Sequence, residues 1–72
     1  MIDHMPGTNL ARLRKQAGLS QSQLAAASST HKQQIAKVEM GQRSIGGVSL
    51  RIAVTWANIL GVHAEDLLDA EP

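Results

Sequence analysis

The chain has 72 residues, no cysteine and a formal net charge of +1. This length allows one domain, and the lack of cysteine excludes disulfide bonds and thiolate metal sites. No apolar run approaches the roughly 20 residues that a membrane-spanning helix needs, and no signal-peptide pattern begins the chain. We therefore expect a cytoplasmic protein without membrane contact.

The composition favours an all-α domain. Ala, Leu, Ile and Val supply most of the apolar residues, and Trp56 is the only aromatic residue. Charge is divided along the chain, because all seven Lys and Arg residues lie between Arg12 and Arg51, where Glu39 is the only acid. Such a division is typical of a protein with one end that faces a polyanion, although a short chain also acquires it by chance.

Capping residues and glycine stops predict five helices, two of them before residue 28. The first helix begins at residue 8 or 9 and ends near residue 17, because Gly18 follows. The second begins after Ser20, which starts a capping box, and ends near residue 27. Three hydroxyl residues at 28–30 compete for backbone hydrogen bonds, so we expect a break there.

The other three helices are predicted by the same signals. The third helix covers about residues 32–40, and a loop follows at 42–48. The fourth helix covers about 50–60, and a short fifth helix covers about 64–69. Together the five helices form one domain over residues 8–69. Residues 1–7 are either a disordered N-terminus or a cloning remnant, and residues 70–72 form a tail.

The third helix has the most informative surface. Helical periodicity places Ile35 and Val38 on one side and groups five residues on the other, namely Lys32, Gln33, Ala36, Lys37 and Met40. Amide and ammonium groups pair with the base edges of the DNA major groove, and no acid lies among them. The alternative interpretation is an ordinary amphipathic helix with a solvated polar face.

The surrounding sequence resembles the Cro/CI (XRE) helix-turn-helix family. The family pattern is roughly L-S-Q-x-x-L-A, a short turn, then x-x-x-I-x-x-I/V-E-x-G. Nine residues match it without a gap: Leu19, Ser20, Gln21, Leu24, Ala25, Ile35, Val38, Glu39 and Gly41. The likeness covers about residues 9–68. It implies a five-helix, lambda-repressor-like fold with the helix-turn-helix in the second and third helices.

The resemblance also implies roles for individual residues. Bases would be read by Lys32, Gln33 and Lys37. The DNA backbone would be contacted by Gln21, Gln34 and Arg43. A partly buried ion pair between Arg14 and Glu39 would tie the first helix to the third. At each of these positions the alternative interpretation is an ordinary surface residue.

Three features depart from the family pattern. Ser28, Ser29 and Thr30 stand where the family prefers a Leu, a Gly and an aliphatic residue, so we expect a polar turn over a thinner core. His31 replaces the usual Ser or Thr cap of the recognition helix. The loop at 42–48 is about two residues longer than the commonest family version, which leaves the contact of Arg43 open.

The fourth helix is apolar over a wider arc than one domain needs to bury. We assign its core positions to Leu50, Ala53, Trp56, Ala57 and Leu60. The surplus predicts a homodimer surface made of Ile52, Ile59, Val62, Leu67 and Leu68. Alternatively, the fifth helix covers these residues within one chain.

The resemblance and the third helix together predict a sequence-specific regulator of transcription that binds double-stranded DNA. We expect a repressor or autoregulator that acts as a homodimer on a palindromic operator, and not an enzyme. The three histidines match no metal-ligand spacing, and no catalytic or cofactor motif is present, so no metal or cofactor is expected. The alternative is a protein-binding module such as an antitoxin, whose main partner is a toxin protein.

Overall fold

The computed structural model describes residues 8–68, which fold into four α-helices and two short 3-10 helices without a strand. In chain order the elements are α1 (Asn9–Gln16), α2 (Gln21–Ser28), α3 (Lys32–Glu39), a first 3-10 turn (Ile45–Gly47), α4 (Leu50–Leu60) and a second 3-10 turn (Ala64–Leu67). The all-α prediction is confirmed. The predictions for residues 1–7, for Asp69 and for the tail at 70–72 lie outside the described residues.

The predicted count of five α-helices is wrong, because the fifth element is a single 3-10 turn. Its bonds span three residues, from Asp66 N to His63 O (2.9 Å) and from Leu68 N to Glu65 O (3.1 Å). An α-helix of four residues would form too few hydrogen bonds to offset the free-energy cost of helix nucleation. Short connections of this length commonly form 3-10 turns instead. The predicted loop at 42–48 likewise contains a 3-10 turn, which buries Ile45.

Side-chain caps explain where α1, α2 and α4 begin, whereas the His31 side chain makes no cap hydrogen bond at the start of α3. The Ser20 hydroxyl accepts from Gln23 N at 3.0 Å, and the Gln23 side chain accepts from Ser20 N at 2.7 Å. The Ser49 hydroxyl accepts from Ile52 N at 3.2 Å at the start of α4. Gly61 ends α4 with a φ of +76°, a conformation that other residues avoid. These boundaries agree with the predicted ones.

The core lies between α2, α3 and α4. Its fully buried side chains come from every described α-helix and from the second 3-10 turn: Leu10, Leu24, Ile35, Val38, Trp56 and Leu67. Because α3 packs against α1 and α2 on its inner side, its outer side stays open. Leu50 was assigned to the core, and this is wrong, since its side chain is 75% exposed at the first position of α4.

The polar turn between α2 and α3 is bonded to the core. Trp56 Nε1 donates a hydrogen bond to Ser28 Oγ at 3.1 Å, although Trp56 itself is fully buried. Ser29 ends α2 in the left-handed conformation, with a φ of 57°. The polar turn is thus held to the core by a hydrogen bond from a buried side chain.

Candidate nucleic-acid interface

The outer face of α3 is polar and open. Ile35 and Val38 are buried and fasten the helix to the core, whereas Lys32, Gln33 and Lys37 are all exposed. The two lysines are five residues apart, which corresponds to about 7.5 Å along a helix. Around the helix the two lysines are about 140° apart, with Gln33 between them, so the three polar groups cover a broad arc of the outer surface. The three predicted base-reading residues therefore share one accessible surface.

Glu39 does not lie on that open face, because two side chains hold its carboxylate inside. Arg14 Nε donates to Glu39 Oε2 at 2.6 Å, and Arg14 Nη2 donates to Oε1 at 2.9 Å. Gln21 Nε2 donates to Oε1 at 2.8 Å. The Arg14 and Glu39 side chains are only 10% and 7% exposed. The ion pair implied by the resemblance is present, and α1, α2 and α3 all contribute to it.

The charge of Glu39 is retained and compensated. Burial alone raises the pKa of Glu39, but hydrogen bonds from Arg14 and Gln21 and the positive charges of Arg14 and Lys15 outweigh it, so the pKa is lowered. The hydrogen bond to Glu39 in turn raises the pKa of Arg14. A carboxylate paired in this way adds little repulsion toward a polyanion near α3.

Gln21 was predicted to contact a DNA phosphate, and its side chain is half-buried beside Glu39. One hydrogen of its amide nitrogen is used in the bond to Glu39. A phosphate could therefore take only the second hydrogen unless that bond broke. The sequence did not indicate this contact, because 18 residues separate the two side chains in the chain.

The other two predicted backbone contacts lie near the two ends of α3, Gln34 in its first turn and Arg43 on the loop that follows it. Gln34 is half-buried, and its side-chain oxygen lies 3.4 Å from His31 N at the start of α3. Arg43 is exposed, and its Nη2 donates to Gly47 O at 3.1 Å. That bond braces the loop after α3 while leaving the rest of the guanidinium at the surface.

The predicted dimer surface needs one correction. Leu67 is fully buried in its own chain, because the second 3-10 turn packs against both α1 and α4, so it cannot contact a partner. Ile52, Ile59 and Val62 are half-buried against the core, and Leu68 is 56% exposed.

Leu50 was missed as a surface residue. It lines a mostly apolar groove together with Leu68. The other lining residues are Ile45, Gly46, Val48, Ala53, Ala64 and one acid, Glu65. The neighbouring turn of α4 exposes Val54 to 39%. We call Leu50, Val54 and Leu68 the apolar patch.

Within residues 8–68, no group of three or more His, Cys, Asp or Glu side chains could hold a metal ion. In the same part of the chain, every helix is too short or too polar to cross a membrane.

Comparison with known proteins identifies the family. The family described as Helix-turn-helix matches residues 10–67. The crystal structure of the restriction-modification controller protein C.AhdI from Aeromonas hydrophila is similar, with a TM-score of 0.72 and 35% sequence identity over 83% of this chain and 86% of that one. Among curated proteins, none matches. The antitoxin alternative is not favoured by these similarities. The chain belongs to the helix-turn-helix family and is a DNA-binding regulator of transcription.

Proposed function

We propose that the chain controls transcription as a homodimer, with α3 of each copy in the major groove of a palindromic operator. Lys32, Gln33 and Lys37 read the base edges. The observation that supports this proposal is their joint exposure on one side of α3, while Glu39 on the same helix is turned inward and paired with Arg14. The protein acts in the cytoplasm, where its DNA lies, and regulates by occupying a site and not by catalysis.

Residues around α3 hold the DNA backbone. Arg43 lies on the loop that follows α3, and Gln34 and Gln21 lie near the starts of α3 and α2. Residues 8–68 include seven Lys and Arg and only three Asp and Glu, which supports attraction to phosphates. Phosphate contacts of this kind orient a protein on the duplex but do not select its sequence.

The apolar patch is the proposed dimer contact. It replaces the predicted contact through Ile52, Ile59 and Val62, because these three side chains are half-buried against the core. Leu50 and Leu68 line a groove that is apolar except for Glu65. A leucine of a second copy could fill this groove, and the partner's groove could receive a leucine in return. Such a two-fold pair would present two α3 helices about 34 Å apart, one turn of B-DNA. The symmetry of the protein would then match the symmetry of the operator.

The direction of control is repression, with the chain's own gene among its targets. The similarity to a restriction-modification controller protein supports a role in regulation, and repression is our proposal for its direction. A protein of this size, bound at a promoter, is large enough to block access to the DNA it covers.

Selection of bound duplexes from a random pool tests the proposal. We expect enrichment of an inverted repeat whose half-sites are about one helical turn apart. Affinity for the selected duplex should fall steeply as salt concentration rises, because bound phosphates release counterions. A pool that shows no enrichment, or a winner without symmetry, would contradict the proposed mode of binding.

A further inference from the structure

We infer that Trp56 is a positioning residue for DNA recognition: its indole N–H holds the turn that sets the direction of α3. Trp56 lies on α4, and its side chain is fully buried. It therefore touches no base or phosphate. The inference rests on the proposed function, because it concerns how the same α3 face is aimed.

The hydrogen bonds around Trp56 have one consistent arrangement of protons. The indole N–H only donates, and it reaches Ser28 Oγ at 3.1 Å and Thr30 Oγ1 at 3.3 Å. Ser28 has a single hydroxyl hydrogen, which must point to Leu24 O at 2.7 Å, since two oxygens that close would otherwise repel. Thr30 therefore donates to Ser28 Oγ at 2.8 Å. The cluster runs without a gap from α4 through the turn to the end of α2.

This cluster sits where it can orient the recognition helix. Thr30 comes two residues before Lys32, the first residue of α3. The other end of α3 is tied separately, through Glu39 to Arg14. The eight residues of α3 are thus held near both ends by polar contacts, with Ile35 and Val38 packed between them. Loss of either polar contact would let one end of the helix shift against the core.

A shift of this kind affects specific binding more than non-specific binding. Hydrogen bonds to base edges need correct placement of the side chains, whereas attraction to phosphates depends mainly on charge. Removing the indole N–H changes no charge. We therefore expect the affinity ratio between the selected operator and random duplex to fall when the N–H is lost.

The test compares Trp56→Phe with the wild-type chain. Phenylalanine keeps an aromatic ring in the core but has no N–H. We expect operator affinity to fall about tenfold, with random-duplex affinity within about twofold of wild type. Partial unfolding would reduce both affinities by one factor, so the ratio separates positioning from stability.

Two further variants sharpen the test. Thr55→Val is the matched control, because it removes a side-chain bond within α4 (Thr55 Oγ1 to Arg51 O, 2.8 Å) without touching the turn. It should leave the ratio unchanged. Ser28→Ala combined with Thr30→Val removes the acceptors and keeps Trp56. Because this variant and Trp56→Phe break the same hydrogen bonds, their effects should not add. A chain with all three substitutions should therefore bind the operator no more weakly than Trp56→Phe alone.

A third measurement does not depend on the operator. In amide NMR spectra, Trp56→Phe should shift the signals of residues 31–34 at the start of α3. If the wild-type chain selected no operator, the proposed function would be contradicted. The amide shifts would still test whether Trp56 positions the start of α3. Shifts confined to α4, or an affinity ratio that matches Thr55→Val, would overturn the inference.

Discussion

Glu39 and Arg14, which are 25 residues apart in the chain, meet through two hydrogen bonds of 2.6 and 2.9 Å that join α3 to α1. Arg14 also donates from Nη1 to Leu19 O at 2.8 Å. All three nitrogens of the guanidinium are therefore bonded, and Gln21 adds a further donor to the carboxylate. An ion pair can be buried when the hydrogen bonds of both charged groups are formed. Removal of one partner leaves the other as an unpaired buried charge.

Substitution of Arg14 by Met should lower the free energy of unfolding by about 3–5 kcal/mol, because Glu39 would remain buried without its counter-charge. Urea titration at low temperature measures the loss. Arg12→Met is the matched control, since the Arg12 side chain is exposed and donates to Asn9 Oδ1 at 2.9 Å without bonding an acid among the described contacts. The control should change stability by about 0.5 kcal/mol or less. Equal losses in both variants would contradict the role of the pair.

Stability should fall in acid through the same pair. The pKa of Glu39 is lowered on folding, so its stabilisation is complete above the ordinary value near 4.5 and is lost as the pH falls through the lowered folded value. Unfolding free energies measured from about pH 6 to pH 3 should therefore decrease more steeply for the wild type than for Glu39→Gln. If the unfolding free energies of the two proteins fell in parallel with pH, Glu39 would not be the cause of the loss of stability in acid.

Gln33 and Arg43 should have different roles in DNA binding. Gln33→Ala should cost about 1–3 kcal/mol on the selected operator and relax the preference at one base pair, with little effect on random duplex. Arg43→Ala should weaken both duplexes alike and reduce the slope of the salt dependence by about one. Fluorescence anisotropy at several salt concentrations measures all these quantities. Identical behaviour of the two variants would contradict the division into base and backbone contacts.

Leu50→Glu should abolish self-association while leaving the folded monomer intact, because the Leu50 side chain is 75% exposed. Sedimentation equilibrium measures the change. Met40→Glu is the control, since Met40 is 67% exposed but lies at the end of α3 and does not line the groove of Leu50 and Leu68. It should associate like the wild type. If Leu50→Glu also remained dimeric, the dimer would use a different surface.

Ser29→Gly should stabilise the domain by up to about 1 kcal/mol, because glycine avoids the cost of a left-handed backbone and loses only part of that gain as chain entropy. Ser29 has a φ of 57°, the only positive φ among the described residues other than glycine. Ser22→Gly, the same change inside α2, should instead destabilise by roughly 0.5 kcal/mol. Thermal unfolding of both variants checks the opposite signs.

Much of the fold could be predicted from local signals. Ser20, Ser49 and Gly61 act through their own backbone neighbours, so the sequence alone indicates the helix ends that they form. The surface of α3 was predictable for a similar reason, because periodicity separates Ile35 and Val38 from the polar positions.

Errors arose where the outcome depended on a neighbour from elsewhere in the chain. Periodicity shows that α4 has a wide apolar arc, but it does not show which flank the rest of the domain covers. Leu50 was therefore placed inside and Leu67 outside, the reverse of what the structure has. The bond between Trp56 and Ser28 spans 28 residues, and its only sequence signal was that polar residues at 28–30 replace the residues that the family pattern prefers.

The bond between Trp56 and the turn has a consequence for protein engineering. If the reading face of α3 were grafted onto a relative with a leucine at the position of Trp56, the hydroxyls of Ser28 and Thr30 would lose their indole donor. A graft limited to residues 32–37 would keep the host's own turn and avoid this mismatch. A graft that includes the turn should carry the tryptophan with it, so the smallest transferable unit combines two segments that are distant in the chain.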